Sequence, residues 1–98
     1  MQNVPRNYEY DPRKAAANLR KHGVSFDEAI TVFEGDVSAY TDFDSAHSTA
    51  DLRFFTIGIS SAGKMLFISH NEVDGVIRLI SARRATLRER KLYEDSDI

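Results

Sequence analysis

The side chains in this chain that can do chemistry are basic ones. Its 98 residues include 13 Lys and Arg and three His, but no Cys. Six of the basic residues, Arg78, Arg83, Arg84, Arg88, Arg90 and Lys91, fall within positions 76–93, where Glu89 is the single acid. Arg13, Lys14, Arg20 and Lys21 form an earlier group, and no Lys or Arg occurs between Val24 and Leu52. That middle segment instead carries Asp27, Glu28, Glu34, Asp36, Asp42, Asp44 and Asp51. A chain polarised in this way can present a positive face at a formal net charge of −2, because the local potential is what steers an anion. Two solvated helix faces give the same pattern, so charge alone leaves both readings open.

Other chemistries lack their residues. His22, His47 and His70 are far apart and none sits in a metal-ligand motif, so nothing calls for a metal or a cofactor. The glycines form no phosphate loop, and no stretch resembles a nucleophile elbow. RNA, by contrast, carries its own nucleophile in the 2′-OH. Its cleavage needs positive charge on the developing phosphorane, orientation for in-line attack and proton transfer, and Arg, Lys and His can supply all three.

A chain of this length, 42% hydrophobic, is expected to form one domain over residues 1–98 around a single core. Without Cys it suits a reducing compartment, and the cytoplasm is the default. No apolar run approaches the roughly 18 residues of a membrane span, and residues 1–8 lack a signal-peptide layout. A soluble cytoplasmic protein without membrane contact is therefore expected.

The elements that must position the basic residues can be read in order. Residues 2–7 form a polar leader, and Tyr8-Glu9-Tyr10 is a candidate first strand. Asp11-Pro12 starts a helix and Gly23 ends it, giving a helix over residues 12–22. On it Lys14, Asn18 and Lys21 share a face, with His22 beside Asn18. Ser25 and Glu28 have the spacing of a capping box for a second helix, whose apolar stripe is Phe26, Ala29, Ile30 and Phe33 and which Gly35 closes. A short strand within residues 37–43 leads to a polar loop reaching residue 51. Strands at 52–60, 65–70 and 76–82 follow, with turns at Ser61-Ala62-Gly63 and at residues 72–75. Thr86 and Glu89 cap a last helix over residues 87–93, and an acidic tail ends the chain. The expected class is α+β: two N-terminal helices packed on one face of a largely antiparallel, twisted sheet of about four strands, with a C-terminal helix. The opposite face is left for a ligand.

On this frame Arg53 begins one strand, His70 ends the next, Arg78 lies within the last and Arg83 at its exit. If the Ser61–Gly63 turn pairs Ser60 with Lys64, Arg53 lies opposite Asn71, and the second turn pairs His70 with Ile77. Arg53 and His70 then share one end of the sheet on alternate faces, with Arg83 at the other end. A slip of one residue reverses every face. Each candidate also has a structural reading. Lys21 and His22 stand at a helix C-terminus, where cations gain roughly 0.3–1 kcal/mol regardless of function. Arg53 can pair with Asp51 or another acid, and His47, in a polar loop, reads as ordinary surface. Tyr93 can stack a base or pack on the sheet. Arg84, Arg88 and Lys91 read as a solvated or phosphate-tracking face.

Tyr8-Glu9-Tyr10-Asp11-Pro12, Lys14-Ala15, Asn18 and Lys21-His22-Gly23-Val24-Ser25-Phe26 resemble the N-terminal signature of the BrnT toxin family. The resemblance continues through His47-Ser48, Arg53-Phe54, Ile57-Gly58, Ile80-Ser81-Ala82-Arg83, Ala85, Glu89-Arg90 and Tyr93. Asn71 departs from the Thr expected after His70. The resemblance implies a RelE-like fold and a metal-independent endoribonuclease toxin of a type II toxin–antitoxin pair, acting on RNA to inhibit translation and growth. It implies inhibition by a BrnA-like ribbon-helix-helix antitoxin, with DNA engaged indirectly through that complex. In this reading Arg83 and Arg53 stabilise phosphate charge, and Lys21, with either His22 or His70, assists proton transfer or positioning. Lys14, Arg78, Arg84, Arg88 and Lys91 contact the RNA backbone. The alternative is a non-catalytic relative of the same fold that binds a protein target or acts as a co-repressor.

Overall fold

The structure is a computed structural model that describes residues 7–48 and 52–96. The expected leader through residue 6, the loop at 49–51 and the last two residues of the tail lie outside them. The order of elements is β1 (Asn7–Glu9), α1 (Pro12–His22), α2 (Phe26–Gly35), β2 (Tyr40–Phe43), β3 (Phe54–Ile59), β4 (Met65–Val73), β5 (Val76–Arg84) and α3 (Leu87–Asp95). The class is α+β, and the described residues form one five-stranded sheet in the order β1-β5-β4-β3-β2. The sheet has five strands against the expected four or so: the candidate first strand forms, as Asn7–Glu9, and pairs parallel to β5.

Helix α1 starts as the residue types dictate. The Asp11 side chain accepts the Arg13 N–H, Pro12 opens the first turn, and Gly23 at φ 70° ends it in the left-handed region. In α2 half of the expected capping box forms: Ser25 Oγ accepts the Glu28 N–H at 3.0 Å. Glu28 does not return the bond. Its carboxylate accepts the Ser60 hydroxyl at 2.7 Å and so ties the helix to the end of β3. From α2, Phe26, Ala29 and Val32 enter the core, with Ile30 and Phe33 packed against it. Leu66 and Ile68 from β4 and Ile77, Leu79 and Ala82 from β5 complete that core. The Val32 side chain of α2 packs directly on β3 at Gly58, where a Cβ would stand 2.5 Å from Val32 Cγ1. No larger residue fits there without displacing the helix.

Register decides which side chains face the other way. Phe54 pairs with His70, which places Arg53 opposite Asn71, as the first turn predicts. The second turn is tighter than expected. Asp74 (φ 53°) and Gly75 (φ 80°) form a two-residue turn of the I′ kind, so Val73 pairs with Val76 and His70 pairs with Leu79 instead of Ile77. A bulge follows: Ser69 pairs with Ser81 while His70 pairs with Leu79, leaving Ile80 as an extra residue in β5. In a plain strand Ser81 and Arg83 would share a face with Ile77 and Leu79. The extra residue instead puts Ala82 in the core and turns Ser81 and Arg83 to the open face.

One side chain holds the bulged segment. β1 pairs β5 only as far as Arg78, so among the described residues the upper edge of β5 has no neighbouring strand. Buried Asn18 of α1 stands in for that strand. Its Oδ1 accepts the Ala82 N–H at 3.1 Å, and its Nδ2 donates to the carbonyls of Ala82 at 2.8 Å and Val24 at 2.9 Å. Asn18→Ala would leave three buried backbone groups unpartnered, and we expect a loss of about 2–4 kcal/mol. Arg20→Ala, on the exposed side of the same helix, should stay within about 0.5 kcal/mol of wild type. Urea titration checks the pair, and equal midpoints for the two variants would contradict this role.

Candidate active site

The sheet has two unlike faces. Under α1 and α2 lie Phe54, Thr56, Ile68 and His70. Phe55, Phe67, Ser69, Ser81 and Arg83 point to the other face and line an open cavity of about 410 Å³. Arg53, Asp44, His47 and Glu89 complete its walls. Phe55 and Phe67 form a floor, stacked at 5.2 Å between centroids and 13° between planes.

Arg83 is fixed over this floor from two sides. Its guanidinium carbon sits 4.4 Å above the centroid of Phe67, within cation–π range. Its Nη1 and Nη2 each donate to one Glu89 oxygen at 2.8 Å, and Nη1 also reaches the Arg84 carbonyl at 3.2 Å. A guanidinium has five N–H donors. The remaining fork, Nε–H with the second Nη2–H, meets no acceptor among the described residues. Arg83 is thus oriented by one carboxylate while keeping a bidentate edge for another anion. Because its side chain retains 36% exposure, the pair is solvent-screened and matters for position more than for stability.

Glu89 serves two structures at once. It accepts the Thr86 N–H at 2.9 Å while Thr86 Oγ1 accepts the Glu89 N–H, closing the expected capping box of α3. Burial alone would raise its carboxyl pKa, but the hydrogen bonds from Arg83 and Thr86 and the Arg83 charge outweigh that, so it lies below the usual glutamate value. The Glu89 hydrogen bond in turn raises the pKa of Arg83 against the opposing effect of burial.

Arg53 has no side-chain hydrogen bond or ion pair among the described residues; Asp51, the first acid named for it, lies outside them. Its backbone instead holds the preceding turn. The Arg53 N–H donates to Ser48 Oγ at 3.0 Å, and its carbonyl accepts the Asp44 N–H at 2.8 Å.

A second, shallower opening of about 240 Å³ lies between α1 and the upper edge of β5, lined by Lys14, Asn18, Lys21, His22, Ile80 and Ser81 among others. Ser81 lines both openings, so the α1 cations adjoin the Arg53/Arg83 cavity. The remaining candidates lie elsewhere. Arg78 pairs with Glu9 at 2.8 Å, at the β1 edge. Arg84, Arg88 and Lys91 are exposed and line neither opening. His70 is 1% exposed on the helix-covered face. Its Nε2 is 2.8 Å from Thr56 Oγ1 and its ring packs edge-on to Phe33, which is a packing arrangement instead of an exposed site. Tyr93 is half-buried and its hydroxyl donates to Asp36 at 2.9 Å.

Several cavity residues escaped the sequence reading. Phe55, Phe67, Ser69 and Ser81 look like ordinary strand residues, and only register reveals their face. Asp44 and His47 did carry a signal, since an Asp three residues before a His can bond both its backbone and its ring.

Residues 10–89 match the profile of the BrnT ribonuclease toxins of type II toxin–antitoxin systems. The chain belongs to that family. The crystal structure of the Brucella abortus ribonuclease toxin BrnT is similar to it, with a TM-score of 0.66 and 25% identity over 84% of this chain and 99% of that one. Comparison with curated proteins gives no significant match. Membership of this family implies an RNA substrate and an antitoxin partner. Among the described residues no helix is long and apolar enough to cross a membrane.

The Glu89 carboxyl predicts a pH effect. A carboxyl held low in the folded chain adds stability above its unfolded pKa, and that stability is lost as pH falls through the folded value. Wild type should therefore lose a modest part of its thermal stability below about pH 5, in keeping with a solvent-screened pair. Glu89→Gln should show a shallower fall, the residue of it owed to Asp11, whose bond from the Arg13 N–H also holds its carboxyl low. Melting curves from pH 3 to 7 test this, and identical slopes would contradict it.

Proposed function

We propose that the chain is a metal-independent endoribonuclease toxin that cuts RNA by 2′-OH attack in the Arg53/Arg83 cavity. The observation that carries the proposal is the pair of arginines on one open, aromatic-floored face, where among the described residues Arg53 has no ion-pair partner and Arg83 keeps an unused bidentate edge. Such an edge matches two phosphate oxygens. As the 2′-oxygen attacks phosphorus, charge grows on the nonbridging oxygens, and fixed cations stabilise it without reorganising. The P–O5′ bond breaks, leaving a 2′,3′-cyclic phosphate and a 5′-hydroxyl. Because the arginines provide the positive charge, no metal is required.

The other basic residues have supporting roles. Lys21, beside the cavity through Ser81, positions the backbone or aids proton transfer. Of the two histidines open as its partner, His22 shares its opening and His70 is enclosed, which favours His22. Lys14, Arg84, Arg88 and Lys91 follow the phosphates beyond the cut, with Arg78 at the far edge. Phe55 offers an aromatic surface to a flanking base, while Phe67, covered by Phe55 and Arg83, supports the guanidinium. In the cytoplasm the activity inhibits translation and growth. A BrnA-like ribbon-helix-helix antitoxin neutralises it and brings the complex to DNA.

Arg83→Ala and Arg53→Ala should each slow cleavage of a mixed-sequence RNA transcript by about 10²–10³-fold, the usual cost of one fixed transition-state donor. Growth inhibition should fall with cleavage, while antitoxin binding is kept. Wild-type cleavage should continue in EDTA and leave cyclic phosphate ends. Full activity in both variants, or loss of activity in EDTA, would contradict the proposal. No cleavage by wild type would favour a non-catalytic binding protein.

A further inference from the structure

We infer that His47, oriented by Asp44, is the general base of this site; the inference rests on the ribonuclease reading above. His47 lies on the wall of the same cavity as Arg53 and Arg83. Its Nδ1 is 3.0 Å from Asp44 Oδ2 and 3.2 Å from Asp44 Oδ1. An ionised carboxylate can only accept, so Nδ1 carries the proton and, in the neutral ring, Nε2 is left with its lone pair. That is the tautomer a base requires.

The pair is built into the fold and is not a chance surface contact. The Asp44 side chain is 13% exposed, whereas His47 retains 68%, so the orienting group is embedded and the reactive one accessible. The His47 N–H also donates to Asp44 Oδ1 at 3.3 Å. Ser48 Oγ donates to the Asp44 carbonyl at 2.7 Å and accepts the Arg53 N–H at 3.0 Å. Through these bonds the turn holding the histidine is fastened to the backbone of Arg53, a proposed phosphate ligand. One short segment therefore sets the base and a cation side by side.

The step balances without further reagents. The 2′-OH proton moves to His47 Nε2 as the 2′-oxygen bonds to phosphorus. The P–O5′ bond breaks, the departing 5′-oxygen takes a proton from water, and the hydroxide left takes the proton from His47 Nε2, which restores the base. The charged groups lining the cavity with His47 are Asp44 from its own turn, Arg53 from just before β3, Arg83 from β5 and Glu89 from α3. Asp44 favours the imidazolium formed in the step, and the arginines favour the phosphorane.

The test uses the full chain and two substrates: a mixed-sequence RNA transcript, and an oligoribonucleotide with a bridging 5′-sulfur at one linkage. His47→Gln should lower kcat by about 10²–10⁴-fold at neutral pH. It should also abolish the acid limb of the wild-type pH–rate profile. Asp44→Asn should give a smaller loss and a displaced acid limb. A thiolate leaves without a proton, so the sulfur substrate should not rescue His47→Gln. Thermal melting shows whether each variant is folded. Wild-type rates in His47→Gln, an unchanged acid limb, or rescue by sulfur would overturn the assignment. A wild-type chain that cleaves no RNA would instead refute the ribonuclease reading itself.

Discussion

The arrangement of this molecule depends on the contact between Asn18 and the backbone of Ala82. A strand whose outer edge is open has unpaired N–H and C=O groups, and a bulge removes one more bond on the inner side. β5 has both defects at the same place: β1 stops at Arg78, and Ile80 has no partner on β4. The Asn18 amide repairs the edge with the two-bond pattern that another strand would offer. Its third bond, to the Val24 carbonyl, fixes the chain just beyond the helix end. The same contact therefore joins α1, the α1–α2 connection and the bulged strand. It also sets the lysines of α1 against the segment that carries Ser81 and Arg83.

From this contact the geometry of the candidate site follows. The extra residue at Ile80 exchanges the faces of β5, so that Leu79 and Ala82 fill the core while Arg83 crosses to the open side. Once there, Arg83 lies over Phe67 and meets Glu89, which is available because Thr86 has started α3 three residues earlier. The capping box thus orients a cation as well as beginning a helix. Arg53 reaches the same cavity from the residue before β3, four positions from the row of Ile57, Phe67 and Arg83.

Much of the frame was legible in the residues. Helix α1 matches its expected range because Asp11, Pro12 and Gly23 each act within a few residues of themselves, and the Ser61–Gly63 turn fixed the β3–β4 register for the same local reason. Harder to read were features decided by partners distant in the chain. Nothing in Leu79-Ile80-Ser81 marks a bulge; no glycine or proline is present, and the signal lies 64 residues away at Asn18. Glu28 looks like a cap residue but bonds Ser60, 32 residues on. Among the proposed site residues, Arg53 and Arg83 could be named from sequence, yet their common face could not. His47 reads as surface in the sequence because its meaning comes from a cavity that the loop itself does not build.

The central claim is that Arg53 and Arg83 take hold of one RNA segment together across the open face. Its most direct test is NMR of the arginine Nε–H groups during titration with an oligonucleotide whose 2′-hydroxyls are replaced by hydrogen, so that it binds without being cut. The account predicts that the Arg53 and Arg83 signals shift together with one affinity and that both responses are lost when Asn18 is replaced by Ala. Shifts confined to Arg84, Arg88 and Arg90, with Arg53 and Arg83 unmoved, would contradict it.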